Sequence, residues 1–185
     1  MVEITRENLT QFNNEGFFVA KGLLDPEIDL GPIKAEYKEV LDNAVSDLQA
    51  RGIIKNNYME LPFEKRISQV LEESDGELNK YLDITLPQKD INSQTPMHCG
   101  PAAFNLIRNS KLLDAVEQFI GSEIYSNSTQ HVRIKPPAHY LAGTTRVLSE
   151  IDTTVWHQDA GTGTSDADHT NTLTVWVSVT EASIE

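Results

Sequence analysis

The spacing of apolar residues changes along this chain from a helical period to a period of two, and this change restricts the folds open to it. Between Ile33 and Leu48 the apolar residues recur every three or four positions, which predicts a long amphipathic helix ending before Gly52. After Gly121 apolar and polar residues alternate, a pattern typical of half-buried strands. We therefore expect a single domain, 1–185, with a mainly helical part, 1–121, followed by a β-rich part, 122–185.

Local signals predict shorter elements in both halves. The first half is expected to contain a helix between an N-cap at Thr5 and a stop at Gly16, a buried strand at Phe17-Phe18-Val19, a helix starting at Asp25-Pro26, a helix near 64–71, and a helix capped by Ser110 and closed by Gly121. In the second half His131, Arg133 and Lys135 share one strand face, and a further strand covers 173–180.

Charge and cysteine content exclude several classes of partner. The chain has 28 acidic and 15 basic residues and a net charge of -13, which disfavours binding to nucleic acid or to an anionic membrane surface. Cys99 is the only cysteine, so no internal disulfide forms, as in proteins of a reducing cytosol. We find no signal peptide and no apolar stretch long enough to span a bilayer. The sequence predicts a soluble cytoplasmic protein.

The triplet His157-Gln158-Asp159 carries the strongest chemical signal. On an extended backbone residues i and i+2 project to the same side, so the imidazole and the carboxylate can reach one cation. Two such donors form two-thirds of the 2-His-1-carboxylate triad that binds non-haem Fe(II). We therefore predict that His157 and Asp159 are metal ligands.

The residues around this triplet resemble those of the phytanoyl-CoA dioxygenase family. The similar segments are Trp156-His157-Gln158-Asp159, Leu173-Thr174-Val175-Trp176-Val177 with Thr180-Glu181-Ala182, Arg133-Ile134-Lys135-Pro136-Pro137, the helix Leu112 to Gly121, and Phe12 to Asp25. The resemblance covers most of the chain, and the part from about Lys55 to Gly100 is matched least well.

The resemblance implies a mainly β core, a double-stranded β-helix (jelly roll, cupin-like) with N-terminal helices packed on one sheet. It also implies a dioxygenase that uses Fe(II) and 2-oxoglutarate to hydroxylate a small organic substrate with molecular oxygen, giving succinate and CO2. His157 and Asp159 match the family's first two iron ligands, Trp176 matches a position that lines the co-substrate pocket, and His131 and Arg133 fall where pocket residues occur.

One part of the family pattern is missing from this sequence. The family places its third ligand, a histidine, and an arginine for 2-oxoglutarate after the Trp176 strand, beyond Glu185. About four strands can be assigned where a jelly roll has roughly eight, so we expect a C-terminally incomplete domain that binds iron weakly. His139 and His169 are alternative sources of the third ligand.

Several residues have simpler interpretations. His131 is equally a sheet histidine, Arg133 belongs to a solvated strand face, and Trp176 is expected to be buried whether or not it contacts the co-substrate. His98 and Cys99 are interpreted as structural, since one histidine and one cysteine lack the spacing of a zinc site. Two further functions stay open: a non-catalytic jelly-roll binding or sensor module that lacks the third ligand, and a metal-dependent hydrolase. A Ser-His-Asp hydrolase is unsupported because no Gly-x-Ser-x-Gly turn is present.

Overall fold

A computed structural model describes residues 4–85, 91–127, 130–135 and 170–182. These residues contain six α-helices: α1 (Arg6–Glu15), α2 (Gly31–Ala50), α3 (Phe63–Glu73), α4 (Asn79–Leu82), α5 (Pro101–Ile107) and α6 (Ser110–Ile120). The described residues divide between two compact units. The first comprises 4–33, 101–126 and 170–179, and the second comprises 34–85, 91–100, 127, 130–135 and 180–182.

In the first unit, local capping sets both ends of α1. Thr5 accepts a hydrogen bond from the backbone N–H of Asn8, and the Asn8 side chain accepts one from the Thr5 N–H. Gly16 ends the helix with φ 80°, in the left-handed region that glycine adopts without a steric penalty. Both termini were predicted from the sequence, and both predictions are confirmed.

Aromatic contacts join α1 to α6 in this unit. The ring of Phe119 lies 4.8 Å from that of Phe12 in an edge-to-face arrangement and 5.3 Å from that of Phe18 in a stacked one. Both arrangements are favourable for aromatic quadrupoles. Phe17 and Val19, on either side of Phe18, are exposed, so the predicted buried strand 17–19 is wrong. The stacking of Phe18 on Phe119, and not a sheet, holds the segment 17–19 in place.

Two other predictions in the first unit need correction. Asn109, one residue before Ser110, is the N-cap of α6, because its side chain accepts from the N–H groups of Lys111 and Leu112. The helix expected at Asp25-Pro26 is only a turn. There the Asp25 carboxylate accepts from the N–H groups of Glu27 and Ile28.

The second unit has its core on one stripe of α2 and on α3 and α4. Its fully buried large side chains are Leu41, Leu48, Val70, Leu71, Leu78 and Leu82. The apolar spacing predicted α2 and α3 correctly, while the short α4 and α5 were not predicted. Arg66 lies inside this unit with only 5% of its side chain exposed. It bonds to the Asp42 carboxylate and, through Nε, to the Asn57 carbonyl at 2.9 Å, as a buried charge requires.

The prediction of a mainly β jelly-roll core is wrong for the part of the chain that the structure describes. No strand occurs in residues 4–85, 91–127, 130–135 or 170–182. The predicted alternation of exposure is present only in part: Ile134 is buried while His131 and Lys135 are exposed, but Val132 and Arg133 are both intermediate. However, the backbone of 130–132 bonds to side chains, with the Gln130 N–H donating to Thr85 and the Val132 N–H to Asp83. Extended backbone becomes a strand only when a neighbouring backbone completes a ladder.

Within the described residues, no helix combines the length and the apolar composition needed to cross a membrane.

Candidate functional site around Asp83

The second unit fixes Asp83 at the end of α4. Asp83 is the C-cap residue of this helix and has extended backbone angles. On one side, the buried Tyr37 of α2 donates its hydroxyl to the Leu82 carbonyl at 3.0 Å. On the other, the His98 N–H donates to the Asp83 carbonyl at 3.0 Å. These two bonds hold the backbone of Asp83 between α2 and the segment before α5.

The Asp83 carboxylate contacts three groups from the segment 131–133. Its Oδ2 lies 2.9 Å from Nδ1 of His131 and 4.0 Å from Nη1 of Arg133. Its Oδ1 accepts from the Val132 N–H at 3.2 Å. The carboxylate therefore meets an imidazole, a guanidinium and a backbone donor, all from three consecutive residues.

A reciprocal pair of hydrogen bonds fixes the residue before this segment, Gln130, to Thr85. The Thr85 hydroxyl donates to the Gln130 carbonyl, and it accepts from the Gln130 N–H at 3.0 Å. Thr85 is two residues after Asp83, and Gln130 is next to His131. The two segments are thus fixed together at neighbouring positions, which restrains the His131 ring against Asp83.

The site is partly shielded from water. Side-chain exposure is 14% for Asp83, 32% for His131 and 27% for Arg133. The pKa of the neighbouring Tyr37 is raised above its usual range, mainly because its hydroxyl is buried and further because the negative charges of Glu36 and Asp83 lie nearby. Because the Asp83 side chain is largely buried, salt screens its interactions less than it screens those of a carboxylate on an open surface.

A second histidine–carboxylate pair lies in the same unit. Nε2 of His98 lies 2.9 Å from Oε1 of Glu36, and the His98 ring contacts Tyr37 edge to face at 5.1 Å. Both polar side chains are largely buried. These contacts fit the structural role expected for His98. The adjacent Cys99 is exposed.

The structure brings together two of the five predicted site residues. His131 and Arg133, the predicted co-substrate contacts, meet at Asp83. Trp176 belongs to the first unit, and it is 74% exposed, so the expectation that it is buried is wrong. The predicted iron ligands His157 and Asp159 lie outside the described residues, as do His139 and His169. Their role stays a prediction.

Asp83 is the functional candidate that the sequence did not reveal. It precedes His131 by 48 residues and lies in the stretch with the weakest resemblance to the dioxygenase family. Only the fold of the second unit brings the two together. Among the described residues, no group of three histidine, cysteine or acidic side chains is arranged to hold a metal ion. The Asp83 carboxylate faces Nδ1 of His131 and so can orient its ring.

No protein-family model matches the chain, and comparisons with curated proteins and with solved structures likewise give no match.

Proposed function

We propose that this protein is a non-haem Fe(II)- and 2-oxoglutarate-dependent dioxygenase that hydroxylates a small organic substrate with molecular oxygen. The observation that carries the proposal is the triplet His157-Gln158-Asp159, whose spacing suits two ligands of one cation. The proposal depends on these two donors lying on one side of an extended backbone, as the sequence predicts for them.

In this proposal His157 supplies a nitrogen donor and Asp159 an oxygen donor to ferrous iron. The bound iron and 2-oxoglutarate supply the oxidising chemistry, and the protein supplies orientation and a site from which water is excluded. The third ligand is left unassigned.

The groups around Asp83 fit a 2-oxoglutarate contact in part. Arg133 provides a planar guanidinium of the kind that pairs with carboxylates, and its side chain is only 27% exposed. Asp83 opposes this role, because its negative charge lies 4.0 Å from Nη1 of Arg133 and offsets the attraction for a second anion. We therefore propose that Arg133 orients the co-substrate. Because Asp83 lies nearby, Arg133 attracts the co-substrate carboxylate less strongly than an arginine without an acidic neighbour would. The contact of Trp176 with the co-substrate stays a prediction from the sequence.

The test is iron binding and turnover by the protein produced from its own gene. With Fe(II), ascorbate and 2-oxoglutarate we expect succinate, and H157A and D159A should each weaken iron binding by at least about tenfold. Gln158→Ala is the matched control, because the predicted spacing puts only residues 157 and 159 on the metal side. Equal iron uptake by all four proteins would refute the metal assignment.

A non-catalytic binding or sensor module predicts a different result from the same assay. Such a protein binds iron or 2-oxoglutarate through the same residues but forms no succinate across a broad panel of substrates. A metal-dependent hydrolase instead releases product without any need for oxygen. We also propose a cytoplasmic location, in keeping with the single thiol of Cys99, which is exposed.

A further inference from the structure

We infer that Asp83 is a positioning residue that fixes His131 as its Nδ1–H tautomer, so that Nε2 faces a ligand as a hydrogen-bond acceptor. The inference deepens the proposed function, and it rests on that function only for the part that concerns turnover. It assigns a role to Asp83, and it changes the kind of group that His131 can recognise.

The first step is the chemistry of the pair. A carboxylate oxygen only accepts hydrogen bonds, so the nitrogen that faces it carries the proton. Oδ2 of Asp83 lies 2.9 Å from Nδ1 of His131, which places the proton on Nδ1 and leaves the lone pair of the neutral ring on Nε2. Among the described residues, no hydrogen bond to Nε2 of His131 is formed, and the side chain is 32% exposed. We place the ligand at this nitrogen because its lone pair is unused and the side chain is partly exposed.

The second step is the rigidity of Asp83. Its backbone carbonyl accepts from the His98 N–H, which fixes the backbone of Asp83. Its Oδ1 accepts from the Val132 N–H, and the carboxylate would lose this bond if it turned away from His131. The Thr85–Gln130 pair fixes the residue before His131. A partner held at several points can select one tautomer, as carboxylates do for histidines in metal and catalytic sites.

The third step concerns the ligand. An accepting Nε2 attracts a donor, such as a substrate hydroxyl or N–H group, or a cation. It repels the oxygen atoms of a carboxylate. In the proposed enzyme His131 therefore binds a donor group of the substrate, and Arg133 is left as the contact for the co-substrate carboxylate. This assignment differs from the sequence prediction, in which both residues contact 2-oxoglutarate.

The protein contains its own control for the tautomer. His98 faces the Glu36 carboxylate through Nε2, at 2.9 Å, so the same rule gives His98 the opposite Nε2–H tautomer. Two histidines of one unit should thus carry their protons on different nitrogens, each set by its own carboxylate.

The test is long-range ¹H–¹⁵N correlation NMR of the ¹⁵N-labelled protein at pH 8. The signals of His131 and His98, two of the five histidines, are assigned through H131Q and H98Q. We expect a pyrrole-type shift at Nδ1 and a pyridine-type shift at Nε2 for His131, and the reverse for His98. D83N should remove the His131 pattern and leave that of His98 unchanged, whereas E36Q should do the opposite. The wild-type spectrum alone decides the tautomer if D83N does not fold.

Two results would overturn the inference: an Nε2–H or averaged His131 ring, or imidazolium shifts at both of its nitrogens. The outcome is separable from that of the proposed function. In an active enzyme D83N should lower kcat/KM on the order of tenfold, and the effect should vanish in the H131Q background. The predicted tautomers without any succinate formation would uphold the role of Asp83 and reject the dioxygenase, whereas succinate formation with the reverse tautomer would reject the role of Asp83 alone.

Discussion

At the scale of single residues, Gly100 shows how a missing side chain makes room for a polar pair. A Cβ placed on Gly100 would overlap the Glu36 carboxylate and Nε2 of His98, which are hydrogen-bonded to each other. Gly100 is itself buried, so a methyl group there cannot turn toward solvent. The Glu36 side chain has to move, and it then loses its contact with His98.

We predict that G100A lowers the free energy of unfolding by about 1–3 kcal/mol, the usual cost of overpacking. In the E36A background the same substitution should cost less, because the carboxylate that it displaces is absent. Urea unfolding of the four proteins measures this coupling. Gly52→Ala is the control: its cost comes from the φ of 70° with no atom nearby, and it should be the same in both backgrounds. An equal cost of G100A with and without Glu36 would contradict the overlap.

The site illustrates which single residues a sequence can reveal. His131 and Arg133 were predicted to share a face because their spacing of two is a local property of extended backbone. Asp83 was missed because nothing adjacent to it in the chain marks it as a partner of residues 131–133. Its role depends on Tyr37 and His98, which fix its backbone from other segments. Such a role follows from tertiary structure and has no signature in sequence spacing.

At the scale of elements, the start of α6 depends on a carboxylate from the turn before α2. Asp29 accepts from Lys111 and from the Asp25 N–H, and its Oδ1 accepts from the side chain of Asn109, the N-cap of α6, at 2.9 Å. These donors favour the ionised form. The hydrogen bond from Lys111 first, and that from the Asp25 N–H next, lower the pKa of Asp29 from 3.8 to about 2.

The lowered pKa of Asp29 predicts a specific loss of stability in acid. The contribution is complete above the unfolded pKa of 3.8 and is lost as the pH falls from about 4 to about 2, because in this range the unfolded state takes up a proton on Asp29 and the folded state does not. Melting temperatures of wild type and D29N should therefore differ at pH 6 and converge toward pH 2. Asp114→Asn, on the exposed face of the same helix, serves as the control and should follow the wild type. A constant difference between wild type and D29N at every pH would contradict the assignment.

The elements also show why helices were predicted better than strands. Thr5, Gly16 and the apolar stripe of α2 act within a few residues of themselves, so the sequence contains the whole signal. Phe17 to Val19 and 131–135 have strand-like composition, yet within the described ranges neither forms a strand. Phe18 stacks on Phe119, and the Val132 N–H donates to the Asp83 side chain. A period of two shows which face is buried and does not identify a partner strand.

At the scale of the whole molecule, the net charge of -13 acts on stability more generally than any one ion pair. The ion pair of Arg51 with Asp47 is about half exposed on both sides, and pairs of this kind contribute little. The excess of negative charge, in contrast, repels itself over distances comparable with the size of a compact chain when salt is low, since the Debye length is roughly 30 Å at 0.01 M. Repulsion between distant charges is screened by salt before contact pairs are.

We therefore predict that raising sodium chloride from 10 mM to 300 mM stabilises the protein by on the order of 1 kcal/mol, or about 2–4 °C in melting temperature. Chloride is the appropriate salt, because sulfate strengthens apolar burial in any protein. Replacing four exposed acids by glutamine (Glu39, Glu60, Glu117 and Glu123) changes the net charge from -13 to -9, and it should raise the melting temperature at low salt and flatten the salt dependence. A melting temperature that falls with added chloride would mean that attractive pairs dominate the electrostatics of this chain, and the four glutamine substitutions would then leave the low-salt stability unchanged or reduce it.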